Sequence, residues 1–259
     1  MPPRGLEPAG LFLVDKPAGP SSFQVVAAIR RRTGARTGHA GTLDPFATGL
    51  LLVLSGAATR LAPWLAGLDK RYVTEVDLSA RTATGDPEGE VVEETEPPGR
   101  GGLQERLAGL RGEVELVVPA ASAVKVGGER AYRLHRRGQA VEMPVRRSRV
   151  SSLELLRYEN GVAQLDLRVG SGTYVRSIAD ALGGHCRSLR RLEVGPFSVD
   201  DADETRLLSP ADALPFLRAV EVEPEEATAI RAGRLRAEPG VRTLCDGRLV
   251  AVGKVVMPA

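Results

Sequence analysis

Residues 38–49 read Gly38-His-Ala-Gly-Thr-Leu-Asp-Pro-Phe-Ala-Thr-Gly49, and the five residues that follow, Leu50 to Leu54, are uniformly apolar. An apolar run of that length, entered from a glycine-rich loop, reads as a buried strand. Three glycines in twelve positions let the loop backbone take positive φ or approach a ligand closely. Asp44 precedes Pro45, which biases it toward extended geometry and projects its carboxylate from a defined point. An Asp-Pro step by itself is an ordinary turn starter. What surrounds it decides its meaning.

Upstream, Leu11 to Val14 reads as a short strand, followed by a loop with Pro17, Gly19 and Pro20. Ser21 or Ser22 can cap a helix on which Phe23, Val26 and Ile29 share a face. Downstream, residues 57–66 have helical character, and from Tyr72 the chain alternates. Tyr72, Thr74, Val76 and Leu78 fall on one face and Glu75, Asp77 and Ser79 on the other, as in a half-buried antiparallel strand. The Pro- and Gly-rich acidic stretch 84–102 reads as a loop. Leu103, Leu107 and Leu110 suggest a short helix, and Val114, Leu116 and Val118 a strand. Residues 152–158 and 162–169 flank Asn160-Gly161, a strong hairpin signal. Ser171-Gly172-Thr173 opens a helix with Tyr174, Ile178 and Leu182 on one side. Strands interspersed with helices, without a regular βαβ repeat, predict an α+β fold with a mixed, mainly antiparallel sheet. The tail alternates at Leu249, Ala251, Gly253 and Val255, predicting a small β unit too short to hold a core alone and therefore docked on the main body. The expected domains are 1–217, with an insertion at 120–149, and 218–259.

A chain of 259 residues, 42% hydrophobic and 26% charged, has an ordinary globular composition. No apolar run approaches the roughly 20 residues that span a bilayer, and the N-terminus lacks the pattern of a secretory signal. Two cysteines, Cys186 and Cys245, give no disulfide framework. A cytoplasmic location without membrane attachment is the expectation.

The formal net charge is only +2, but 31 of the 35 basic residues are arginine, whose planar fork suits phosphate. Genome composition or thermal adaptation explains such a bias equally well. The local clusters carry more weight. Arg30, Arg31, Arg32 and Arg36 precede the Gly38 loop. Residues 129–149 hold seven arginines against two glutamates, while Asp86, Glu88, Glu90, Glu93, Glu94 and Glu96 have no base among them. Such segregation suggests a face turned toward a polyanion, and a solvated charged surface is the bland reading beside it. The 120–149 stretch has little periodicity, and a long excursion in a compact domain is commonly functional.

Zinc-ligand spacings, a P-loop, a dinucleotide fingerprint and a Gly-x-Ser-x-Gly elbow are absent from the sequence. The expected chemistry needs no metal and no cofactor.

Taken whole, residues 38–49 resemble the signature of TruB-type tRNA pseudouridine synthases, and further resemblances follow in order along residues 11–200. Asp15-Lys-Pro-x-Gly19 with Ser22 resembles the family's first motif, and Asp69-Lys-Arg-Tyr72 the motif with its active-site tyrosine. Pro119 through Ser122, Lys125, Gly128, Tyr132 and Gly138 resemble the thumb insertion. Ser171-Gly-Thr-Tyr-Val-Arg176 and Leu189-Arg-Arg191 resemble the last two active-site motifs, and the tail more weakly resembles a PUA-like domain. The resemblance implies isomerisation of a uridine in the tRNA T loop, position 55 in tRNA numbering, to pseudouridine. Asp44 is then the catalytic carboxylate, with Tyr72 stacked on the uracil and Arg176 paired with Asp44. His39 fills the space left by the flipped nucleotide; Tyr174 contacts that nucleotide and Leu189 lines its pocket. Lys125, Arg130, Arg133, Arg136 and Arg137 of the thumb hold RNA. The implied partner is the tRNA T arm, met by a monomer without guide RNA.

The sequence departs from the family pattern twice. The thumb reads Pro119-Ala-Ala-Ser-Ala123, without the second proline and the tyrosine of the usual motif, and the interval from Arg176 to Leu189 is shorter. Two other readings compete. One is a guide-RNA-dependent synthase, which generally has a larger tail and no thumb. The other is a tRNA-folding helper without relevant catalysis, against which the intact Asp44, Tyr72 and Arg176 argue.

Overall fold

In the computed structural model, which describes residues 8–139 and 141–258, strand β1 (Gly10–Lys16) leads into helix α1 (Ser22–Thr33). Ser21 is the N-cap, with Gln24 completing a reciprocal capping box. Gly34 in the left-handed region ends the helix. Val26 and Ile29 are buried, as their spacing predicts. Phe23 is not: it is 76% exposed. Ser22 takes the inward position instead.

Strand β2 (Thr37–His39) precedes the Asp44 loop, and β3 (Thr48–Ser55) follows it. Leu50 to Leu54 are all 0% exposed, so the apolar run is a strand covered on both faces. Truncating one of these leucines to Ala should cost about 2–5 kcal/mol. Both β1 and β2 pair antiparallel with β3. A 3-10 turn over Gly56–Leu61 and helix α2 (Ala62–Ala66) complete this part of the chain. It belongs to a compact unit formed by Met1–Leu68 and Glu193–Ala259; residues Asp69–Leu192 form a second.

The second unit begins with β4 (Lys70–Asp77), whose inward positions alternate at Lys70, Tyr72, Thr74 and Val76. The stretch 84–102, read as a loop, contains β6 (Val91–Glu94), which forms a ribbon with β5 (Ala80–Thr82) just before it. Its residues in β6 are exposed on both sides, so no apolar alternation marks it. After α3 (Arg100–Gly109) and β7 (Gly112–Val117), the 120–149 insertion holds β8 (Lys125–Val126), β9 (Glu129–Arg130) and α4 (Ala131–Arg136). Its end is the start of a long strand, β10 (Val145–Glu159), seven residues earlier than the hairpin signal suggests. Pairing with β7 extends it there. The turn to β11 (Val162–Val169) places Asn160 at φ 48° and Gly161 at φ 78°, the two positive φ values that a tight hairpin requires. Helix α5 (Val175–Ala181) and β12 (His185–Val194) follow, and the order within this unit is β12-β4-β11-β10-β7.

The chain returns to the first unit through β13 (Phe197–Ser198) and β14 (Asp203–Leu208), which pairs with β1. The tail forms its own sheet: β15 (Ala219–Glu221), β16 (Arg242–Cys245), β17 (Arg248–Val252) and β18 (Val255–Val256), with α6 (Pro224–Arg231) between β15 and β16. Only β15–β16 is parallel among these pairs. Leu249 to Val252 are all buried and Gly253 is in the turn at φ 54°, so the alternation read across 249–255 does not describe this hairpin. A small core of Ala227, Ile230, Cys245, Val250 and Ala251 supports the sheet. Arg60 donates to the Val256 carbonyl at 2.9 Å and Arg242 to that of Ala211 at 2.7 Å, which docks the tail on the rest of its unit. The compact units divide at Leu68 and Leu192. No described helix is long and apolar enough to cross a membrane.

Candidate active site

Asp44 is half-buried in the loop between β2 and β3. Gly41 in the loop and Gly49 at the start of β3 have φ of 104° and 100°, where a side chain would be strained. Two buried side chains hold the loop. Ser22 accepts a hydrogen bond from the Leu43 amide at 2.8 Å and donates one to the Leu43 carbonyl at 2.9 Å. Lys16, 0% exposed, donates to the carbonyls of Pro17 and Pro20 at 2.8 Å and of Pro45 at 3.2 Å. The Gly19 amide also reaches the Pro45 carbonyl, at 2.9 Å. Residues 43 and 45 are thus fixed from β1 and α1, and Asp44 stands between them. A buried ammonium is tolerable only with such acceptors around it. His39 lies at the end of β2, half-buried.

The remaining candidates lie in the second unit. Tyr72 is 7% exposed on the inward face of β4, in register with Leu167. Leu189 is buried in β12, and Tyr174 is the half-buried residue preceding α5. Lys70, on the same face of β4 as Tyr72, is buried. Burial first, and then the Arg191 guanidinium, holds its pKa down to about 8, against the opposing pull of Asp69. Arg149 pairs with Asp69 in two contacts of 2.8 and 2.6 Å.

Arg176 is 3% exposed. Its guanidinium donates to the Thr84 carbonyl at 2.7 Å and the Ala121 carbonyl at 3.0 Å, and it lies 3.4 Å from a carboxylate oxygen of Asp86. Asp86, itself buried, also accepts from the Thr84 hydroxyl at 2.6 Å and the Glu88 amide at 3.1 Å. The acidic stretch is therefore relieved by bases outside it: Asp86 by Arg176, and Glu93 by Arg81 across the β5–β6 ribbon at 3.0 Å. Next to Arg176, Ser177 donates to the Val117 carbonyl at 2.6 Å. Helix α5 thereby fixes the backbone on both sides of Pro119, where the insertion leaves the sheet.

Within the insertion Lys125, Arg130, Arg133, Arg136 and Arg137 are exposed. Arg133 and Arg136 lie over the Tyr132 ring, 5.9 and 5.7 Å from its centroid. Arg137 pairs with Glu129 at 2.7 Å, and Arg130 donates to the Ala123 carbonyl. Part of the positive charge is thus spent internally.

Residues 30–175 match the TruB family of pseudouridylate synthases over its N-terminal domain. The chain belongs to the TruB family. Curated relatives named tRNA pseudouridine synthase B agree. That of Leifsonia xyli subsp. xyli (strain CTCB07) is 45% identical over 81% of this chain and 75% of its own. That of Mycobacterium sp. (strain KMS) is 44% identical over 90% and 86%, and that of Ruegeria sp. (strain TM1040) 39% over 96% and 93%. Among solved structures, a Cbf5-Nop10-Gar1 complex contains a chain aligned with TM-score 0.70 at 24% identity, covering 97% of this chain and 80% of that one. At that identity the likeness shows the shared pseudouridine synthase fold.

In this TruB-family chain the Asp44 loop is marked by its motif, whereas Asp86 carries no local signal. Nothing local distinguishes Asp86 from the five other acids around it. Lys16 appeared in the sequence only as part of a motif, and Ser22 as that and as a candidate helix cap; their contacts with loop backbone groups give them a physical role.

Proposed function

We propose that this chain isomerises the uridine at position 55, in the T loop of tRNA, to pseudouridine, with Asp44 as the catalytic carboxylate. The observation that carries the reading is the carboxylate itself: one acid, presented between two backbone groups clamped by buried side chains, in the segment that resembles the family signature. The curated relatives named tRNA pseudouridine synthase B support tRNA as the substrate.

In this reaction the bond from the ribose C1′ to uracil N1 breaks, the base turns, and a bond from C1′ to uracil C5 forms. The proton on C5 is lost and N1 gains one, so nothing is added or removed overall. Asp44 acts on the sugar or the base during C–N cleavage. The target must leave the base stack first, and His39 takes its space. Tyr72 stacks on the extruded uracil, Tyr174 contacts the nucleotide and Leu189 lines its pocket. Arg176 serves Asp44 as its ionic partner. Its contacts with Asp86, Thr84 and Ala121 make it well suited to hold a fixed orientation. The arginines of the insertion, with Lys125, take phosphates, and the β15–β18 sheet is the PUA-like domain of this reading. The enzyme works as a monomer in the cytoplasm without guide RNA.

The test uses two unmodified tRNA transcripts, one with uridine and one with cytidine at position 55. Product should form only with the first. Equal pseudouridine in both would place the reaction elsewhere in the tRNA, and none in either would overturn the substrate assignment.

A further inference from the structure

We propose that the outer face of α1 is a second RNA-binding surface, separate from the insertion, on which Phe23 stacks against an unpaired base while Arg30 and Arg31, with Arg36 just past the helix end, take phosphates. The proposal rests on the reading that this chain acts on tRNA and adds a place where the RNA is held.

Phe23 is 76% exposed, more than the other large exposed hydrophobic residues described. It occupies the first turn of a helix whose capping and inward face are complete without it. A phenyl ring held in water gains nothing for the fold. Its position is specific: the preceding residue is Ser22, whose hydroxyl clamps Leu43 next to Asp44. Phe23 therefore flanks the support of the loop that carries the proposed catalyst, within one compact unit.

Phe23, Ala27 and Arg30 follow helical spacing along one stripe, with Arg31 beside it. Seven residues of helix place Arg30 roughly 10 Å along the axis from Phe23. Residues 22–36 contain no acid. Arg30, Arg31 and Arg36 are exposed, and among the described residues they make no ion pair. Arg32 is different, since it pairs with Glu204 and lies over the Phe12 ring. Arginines in the last turn also suit the negative end of the helix. That accounts for the cations and leaves the exposed ring unexplained. An aromatic face with free cations along one stripe is the combination that binds unpaired nucleotides, stacking on the base and neutralising the backbone.

The test is the affinity of the full chain for an unmodified tRNA transcript, measured across a salt series. Phe23→Ala should weaken binding about tenfold, within the usual range for losing one stacked base, and leave thermal stability unchanged. Phe23→Trp should restore affinity, and Phe23→Leu should not. Arg30→Gln with Arg31→Gln should lower the slope of log K against log salt by about 1.4–1.8, two phosphate contacts' worth. Wild-type affinity and slope in all these variants, with a wild type that isomerises tRNA, would overturn this proposal alone. A wild type that neither binds nor isomerises tRNA would overturn both readings. A wild-type dimer that Phe23→Ala dissociates, with tRNA affinity unchanged, would assign the face to self-association and also overturn it.

Discussion

The Ser22 hydroxyl is bonded to both backbone groups of Leu43, accepting from its amide at 2.8 Å and donating to its carbonyl at 2.9 Å. A helix and a loop 21 residues apart are joined through one 2%-exposed side chain, and the residue after Leu43 is Asp44. Ser22→Ala would leave both groups buried without that partner, at a cost of about 1–3 kcal/mol. The lost register should also displace Asp44. Turnover should fall about 10- to 100-fold, the scale for a misplacement near 1 Å, with tRNA affinity little changed. Denaturant unfolding and single-turnover kinetics measure the two effects. Full activity in a destabilised variant would show that the clamp serves the fold alone.

Arg176→Lys keeps the charge and loses the planar fork that reaches two carbonyls at once. Turnover should drop well below wild type while tRNA binding changes less. A wild-type single-turnover rate would remove Arg176 from the site.

Asp86→Ala leaves the Arg176 guanidinium buried without this carboxylate. Stability should fall by about 3–5 kcal/mol, the cost of breaking a buried pair from one side. Asp86→Asn, which can still accept from the Thr84 hydroxyl and the Glu88 amide, should cost less. Equal losses for the two variants would show that the charge alone carries the effect, and a wild-type stability in Asp86→Asn would show that the charge contributes nothing.

Arg136→Gln with Arg137→Gln tests the insertion. Arg137 already pairs with Glu129, so fewer than two phosphate contacts should be lost. The salt slope should fall by about 0.7–0.9 rather than by twice that amount. An unchanged slope would mean that this cluster only faces solvent.

Lys70 gives a pH dependence. Burial and Arg191 lower its folded pKa to about 8 from an ordinary 10.5, so the folded state releases its proton first as pH rises. Between about pH 8 and 10.5 the unfolded chain holds more protons at this residue, and its contribution to stability grows with pH. Below pH 8 the cost of burying the charge is fully present. The change should approach about 3 kcal/mol, read as the difference in unfolding free energy between wild type and Lys70→Met. A flat difference across that window would show that the charge is not penalised.

Patterns within a few residues made much of this fold legible. The apolar 50–54 run, the alternation from Tyr72 and the Asn160-Gly161 turn each became the expected element. Phe23 was misassigned because helical spacing fixes a stripe but does not say how wide the buried part is. The β5–β6 ribbon carries no apolar alternation, and the tail strand is covered on both faces, so neither shows a two-residue period. In the site, the twelve-residue loop around Asp44 was readable because its meaning is local. Asp86 was not, since its partner Arg176 is 90 residues away in the sequence and only the folded chain brings the two together.

The central claim is that Asp44 is the catalytic carboxylate, and Asp44→Asn on an unmodified tRNA transcript, followed at saturating enzyme, tests it most directly. Size and backbone contacts are retained while the charge is removed. The protein should fold and bind tRNA as wild type does and form no detectable pseudouridine. Turnover within about tenfold of wild type, equivalent to only about 1.4 kcal/mol of barrier, would contradict the account.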